Sequence, residues 1–335
     1  MTGSTGAAAE DPAWRIFRGD GTKHTTEIPE APPWRSFTGH ADEADGDNAP
    51  ADDALRAGPK ARYVIGEEEV DVINAALHLR RPLLVTGHPG VGKTMLADAI
   101  AHELDLGRVL RWPVNSRSTL QDALYRYDAI GRLQEGSLPS ADGQVAPGIG
   151  KYVRLGALGT ALVPAARPRV LLVDELDKGD VDLPNDLLTV FEEGSFEIPE
   201  LSRLPEEQSE VDVFTADRGD QVTVRRGFVR CTQFPVVVIT SNGERDFPPA
   251  FRRRCLPLHL HDPRKERLKE IIVSHLGPDA LMEADDLIDT FLKERSVKEL
   301  ATDQLLNAVF LRRGGARLDP RGLLRTVLHQ LNPGG

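Results

Sequence analysis

The stretch Pro82 to Leu104 constrains this chain more than any other. It begins PLLVT, a short apolar and β-branched run that reads as a strand buried on both faces. Directly after it come Gly87, His88, Pro89, Gly90, Val91, Gly92, Lys93 and Thr94, and then Leu96, Ala97, Ile100, Ala101 and Leu104 recur on one face of a helix. A strand that turns through glycines into a helix aims backbone N–H groups and the positive end of the helix dipole at one point, which makes an anion site. The three glycines let the backbone close on a β-phosphate, Lys93 adds a point charge toward the β- and γ-phosphates, and the Thr94 hydroxyl is placed to ligate magnesium. His88, Pro89 and Val91 fill the variable positions of the loop, and His88 acquires no role of its own from this pattern. A nucleoside triphosphate and Mg2+ are the expected ligands.

Such a loop serves many chemistries, so the next acidic motif has to discriminate. VLLVDELDK places Asp174 at the C-terminal end of another buried strand, where a carboxylate can hold magnesium through water, and follows it with Glu175. Hydrolysis needs a base beside the attacking water, whereas a small-molecule kinase receives its acceptor hydroxyl from the substrate, so the pair points to hydrolysis. A third run, VVVIT from Val236 to Thr240, ends in Ser241 and Asn242. Asn242 is expected to orient the lytic water or touch the γ-phosphate, although Asn-Gly is also an ordinary turn signal. Ten residues on, Arg252, Arg253 and Arg254 follow the segment FPPAF. Adjacent arginines can be a solvated patch, or one can be a finger that stabilises charge on a neighbouring subunit's nucleotide, in which case the enzyme must oligomerise.

The alternation of short apolar runs with helical periods predicts an α/β fold with a parallel sheet over residues 61–261, the fourth strand lying at Val109 to Val114. Past His261 the strands stop. Asp262-Pro263 reads as a helix cap with Pro at the first helical position, and helical periods then run through residues 262–335, predicting an all-helical C-terminal lid. Residues 1–60 carry eleven acids and six bases, and stretches such as HADEADGDNAPADDA bury too little apolar area to offset the entropy of ordering. Most of that tail is expected to be disordered. It contains W-R-x-F-x-G twice, at Trp14 to Gly19 and Trp34 to Gly39. Trp beside Arg suits a docking peptide, and it equally suits a segment that folds back on its own domain.

The net charge of -11 argues against phosphate-backbone or membrane-surface binding, so nucleic acid is not an expected partner. Cys231 and Cys255 lack metal-ligand companions and read as buried small hydrophobes of a reduced, cytoplasmic protein with no membrane insertion.

Taken together, the glycine loop, the Asp-Glu strand end, the Asn strand tip, the arginine cluster and the helical lid resemble a P-loop NTPase of the AAA+ class, within it the MoxR branch. DELDK is similar to that branch's acidic motif, and TSNGERDFPPAFRRRC is similar to the segment that carries its finger. This resemblance makes the nucleotide ATP and implies Glu175, Asn242 and Arg254 as catalytic residues, Thr94 and Asp174 as magnesium ligands, and an adenine pocket near Tyr63, Val64 and Ile65. It also implies a lid residue that senses the γ-phosphate, Arg321 with Lys298 as its rival, a β-hairpin insert around Ile130 to Val153, and a second hairpin at Val222 to Val229 that presents Arg225 and Arg226 at a turn, where they equally suit protection of an edge strand. The implied function is a homo-oligomeric, hexameric-ring ATPase that remodels a protein client, with von Willebrand A domain proteins as the partner class. Two rivals stand beside it: a nucleotide-driven nucleic-acid machine such as a restriction-type GTPase or loader, and a non-hydrolysing switch or scaffold.

Overall fold

The computed structural model describes residues 14–35, 37, 63–137, 148–295, 300–319 and 322–329. Five parallel strands form the central sheet in the order β11-β1-β10-β5-β2: β1 (Leu83–Thr86), β2 (Leu110–Pro113), β5 (Val170–Asp174), β10 (Val236–Ser241) and β11 (Leu256–His259). The continuous apolar runs are explained by burial on both faces. Along β5, Leu171 and Val173 join one hydrophobic cluster while Val170 and Leu172 join another on the opposite side. Four of these strands are the expected ones. The fifth, β11, escapes a pattern reading because Pro257 interrupts its short sequence LPLH, which an edge position tolerates.

Helices α1 (Glu67–Leu79) and α2 (Lys93–Glu103) pack on one face, and α3 (Leu120–Leu124), α5 (Ala157–Ala161) and α6 (Leu183–Glu193) on the other. A second sheet, ordered β3-β4-β7-β8-β9-β6, is built from β3 (Tyr125–Tyr127), β4 (Val153–Leu155), β6 (Ser195–Glu197), β7 (Glu210–Phe214), β8 (Gln221–Arg225) and β9 (Phe228–Arg230). The first hairpin, expected around Ile130 to Val153, is corrected: that span opens in helix α4 (Ala129–Ser137), and the antiparallel pair of β3 with β4 flanks it. The second is present as β8 and β9, turning at Arg226 and Gly227, both with positive φ. Arg225 ion-pairs with Glu210, and Arg226 with Glu206. Two short helices, α7 (Pro199–Ser202) and α8 (Pro249–Arg252), complete the core.

The lid comprises α9 (Lys265–Leu276), α10 (Asp285–Arg295), α11 (Thr302–Arg313) and α12 (Leu323–Val327) around a separate cluster that includes Leu268, Ile272, Ile288, Phe291, Leu305 and Val309. The expected Asp262-Pro263 cap is corrected. Helix α9 begins at Lys265 after Arg264, because the carbonyl of Pro263 accepts from Arg295 Nη2 (2.7 Å) and the Asp262 side chain is directed to His88.

The expectation of a largely disordered tail is corrected over residues 14–35. Ile16 and Phe17 are buried in the cluster shared with α1 and α2. Asn74, fully buried on α1, accepts from the N–H groups of Ile16 (2.7 Å) and Phe17 (2.9 Å) and donates to the Phe17 carbonyl (2.7 Å). At the far end of α2 the buried carboxylate of Glu103 accepts from the backbone N–H groups of Arg18, Gly19 and Gly21. Two buried polar groups that need partners find them in this strap, which offsets the entropy of holding it. Among the described residues no helix is long and apolar enough to cross a membrane.

Candidate nucleotide site

The glycine loop lies at the C-terminal end of β1, between β10 and β11, where adjacent connections leave the sheet in different directions and open a crevice. Gly87 has φ +146°, and a Cβ there would stand 2.5 Å from the Leu260 carbonyl oxygen. Gly90 has φ +77°, and a Cβ there would lie 2.2 Å from the Cβ of Ala301 at the start of lid helix α11. The loop is therefore clamped between the core–lid connector and the lid itself, with room only for backbone. Lys93, buried, donates from Nζ to the carbonyls of Gly87 (2.7 Å) and His88 (3.0 Å). Burial lowers its pKa, and the carboxylates of Asp177, Glu175 and Asp174 act in the opposite direction.

Asp174 Oδ1 accepts from Thr94 Oγ1 (3.1 Å) and from Thr240 Oγ1 (2.6 Å). Its other oxygen has no protein donor among the described residues, so a hydroxyl and a carboxylate with spare lone pairs face one point. That donor set suits a hard cation that keeps most of its ligands as water and phosphate oxygens, as magnesium does. No cluster of three or more His, Cys, Asp or Glu side chains able to hold a metal occurs among the described residues, so the protein would supply only this partial shell. The Tyr63 ring lies beside Gly92, 3.4 Å from where a side chain there would begin, and its hydroxyl is buried without a partner, which raises its pKa. An orphaned hydroxyl next to the loop is what a bound nucleotide would satisfy. Arg267 of α9 donates to the Val64 carbonyl (2.8 Å) and pairs with Glu69, tying the lid to the same wall.

Glu175 has φ +59°, a left-handed backbone immediately past the end of β5. Its carboxylate receives Asn242 Nδ2 (3.4 Å) on one oxygen and Lys178 Nζ (2.9 Å) on the other. Its backbone N–H donates to Thr240 Oγ1 (2.8 Å), so the two strand tips are laced together. Asn242 is anchored through its own N–H to buried Asp177 (2.9 Å), which also accepts from the N–H of Glu244 (3.1 Å). Thr240 and Asp177 were not singled out in the sequence; the signal was available, since both flank motifs already recognised. His88 also acquires a partner: Nδ1 lies 3.0 Å from Asp262 Oδ2 in the core–lid connector.

Arg254 stands elsewhere. Leu83 is in register with Leu256 in the parallel pair β1–β11, so Arg254 precedes the strand end opposite to the one that carries the glycine loop. Its partners are Glu192 (Nε to Oε1, 2.6 Å) and the Ala250 carbonyl (Nη1, 3.1 Å). The lid candidates Arg321 and Lys298 lie outside the described residues.

The segment that carries the loop, the Asp-Glu strand end and the Asn strand tip falls within the match to a family model. Residues 82–255 match the AAA domain, dynein-related subfamily. The chain belongs to this AAA family. No curated protein matches it. The matched span of the AAA domain runs from the residue before β1 through Cys255 and stops short of β11 and the lid. The AAA domain is a nucleotide-hydrolysing fold, and here its central sheet, helical C-terminal region and loop-first strand order are all in place.

Proposed function

We propose that this chain is a magnesium-dependent ATPase of the MoxR-like branch, working as a ring of identical subunits, expected to be hexameric, on a protein client. The observation that carries the ATPase reading is the Glu175 carboxylate, held by Asn242 and Lys178 one residue beyond the Asp174 that touches Thr94. Magnesium bound by Thr94 and Asp174 would neutralise charge on the transferring phosphoryl group. Lys93, released from its loop carbonyls, binds phosphate oxygens; Glu175 takes the proton of the attacking water; Asn242 orients that water.

The place of Arg254 supports the oligomer. A side chain beyond the opposite end of the sheet cannot reach the phosphates on its own loop, so an arginine acting there acts on a neighbour. A von Willebrand A domain protein is the class of client the resemblance suggests, and the lid residue that senses the γ-phosphate is assigned to Arg321 ahead of Lys298. In purified protein, Glu175→Gln should keep ATP affinity within about twofold while phosphate release falls by about 10²-fold or more; unchanged release would remove Glu175 as the base.

A further inference from the structure

The second W-R-x-F motif sits against the end of α6, beside the candidate finger. Arg35 is buried. Its guanidinium lies 5.0 Å from the Phe37 ring centroid and 4.8 Å from that of Phe234, and the two rings stack on each other at 5.0 Å. Nη2 donates to the Arg80 carbonyl (2.8 Å), and Nη1 lies 3.5 Å from Glu192 Oε2. Burial opposes the charge on Arg35 and Glu192 favours it; a guanidinium stays ionised under these conditions. Glu192 is thereby shared: Oε2 faces Arg35, and Oε1 accepts from Arg254 Nε at 2.6 Å. The first motif uses the same chemistry, with Arg15 on Asp71 (2.6 Å) and Phe17 buried, but it packs in the cluster of α1 and α2.

We propose that Arg35 and Glu192 are positioning residues for Arg254, so that the N-terminal segment of each subunit prepares the arginine offered to the next subunit's nucleotide. This rests on the trans-acting role of Arg254 proposed above. Two guanidinium groups share one carboxylate, which leaves a net positive charge, and Arg254 is the less buried of the pair. Glu192 and the Ala250 carbonyl fix the plane of that guanidinium through Nε and Nη1, and Nη2, with no partner among the described residues, is the donor left for an anion. Without Arg35, both carboxylate oxygens would be available to Arg254, and a bidentate grip would withdraw the edge that an anion needs. The motif is thus a clip whose phenylalanine anchors it and whose arginine keeps Glu192 from capturing Arg254.

The test uses mixed full-length assemblies. Acceptor subunits carry Arg254→Ala and keep their own phosphate site; donor subunits carry Glu175→Gln and keep Arg254. Mixing should restore ATP turnover. Adding Arg35→Met or Glu192→Gln to the donor should lower the restored kcat by about 10- to 100-fold with KM for ATP unchanged, and Arg35→Lys should recover part of the loss. The same changes on the acceptor should have no effect. Unchanged kcat from altered donors, or equal loss from either side, overturns the positioning role. If unaltered donors restore nothing, the trans role of Arg254 is wrong and the positioning role falls with it. Glu192 is about half exposed, so Glu192→Gln carries the test should Arg35→Met not fold, and a melting curve and assembly size for each mixture verify that.

Discussion

The side-chain amide of Asn242 at the tip of β10 reaches the carboxylate of Glu175 at the tip of β5, Nδ2 to Oε1 3.4 Å. The contact joins the two groups that would hold one water molecule between them and the γ-phosphate. Both are fixed from behind, Asn242 by Asp177 and Glu175 by Thr240, so their separation is set by neighbouring parallel strands rather than by loops.

Replacing Asn242 by Ala should therefore act on turnover and little else. A fall in kcat of about 10²-fold is expected from losing one preorganised donor, with ATP affinity within about twofold. Steady-state phosphate release alongside fluorescent-nucleotide titration measures both; a matching loss of affinity would mean that Asn242 binds nucleotide rather than water.

Gly90→Ala should uncouple the lid from the loop. A Cβ at φ +77° would collide with Ala301 at 2.2 Å, and the αL backbone adds about 1–2 kcal/mol of strain for a residue with a side chain. Since 1.4 kcal/mol is tenfold in binding, nucleotide affinity should fall by about tenfold or more. An unaltered dissociation constant would show that the lid does not rest on Gly90 in solution.

Phe17→Ala and Trp34→Ala should differ sharply although they belong to the same repeated motif. Phe17 is fully buried between α1 and α2, and its truncation should cost about 3–5 kcal/mol of stability. Trp34 is 73% exposed, and its truncation should stay within about 0.5 kcal/mol. Urea unfolding of the two variants separates a strap that belongs to the core from a loosely attached tail.

Alkaline pH should destabilise the fold through its two thiols. Burial pushes both Cys231 and Cys255 up to about 12, well above the usual thiol pKa of about 8.5 in an unfolded chain. The folded state favours the neutral thiols, so their contribution is complete below about pH 8.5 and is lost as pH rises from there toward 12. Unfolding midpoints for wild type and Cys231→Ala should converge across that window. Neither thiol should react with an aromatic disulfide at pH 8 until the protein unfolds.

Much of this protein is legible in one dimension. Three of the five central strands announce themselves because burial on both faces demands unbroken apolar runs, and the edge strand β2 is marked by the run Val109 to Val114; Asp174 and Glu175 stand at the end of β5, Asn242 just past β10, and Lys93 and Thr94 open α2 after the glycine loop, where a parallel sheet gathers them. Strand β11 was not legible because Pro257 interrupts its four residues, which only its edge position tolerates. The strap was only half legible, its repeat suiting a docking peptide and a segment that folds back alike, because composition averages over a segment, whereas its order depends on a few contacts: Phe17 in a distant cluster, and Asn74 and Glu103 each supplying hydrogen bonds to backbone more than fifty positions away.

What the sequence determined by itself was therefore local: the phosphate loop, the acidic and amide strand tips, and the helical period of the lid, each encoded within a dozen neighbouring residues. The tertiary structure alone decided which groups share a partner. Glu192 between Arg35 and Arg254, Ala301 against Gly90, and His88 against Asp262 are pairings across long stretches of chain. Hydrogen bonds and packing act over a few ångströms of space and are indifferent to separation along the backbone, so only the folded chain brings those groups together.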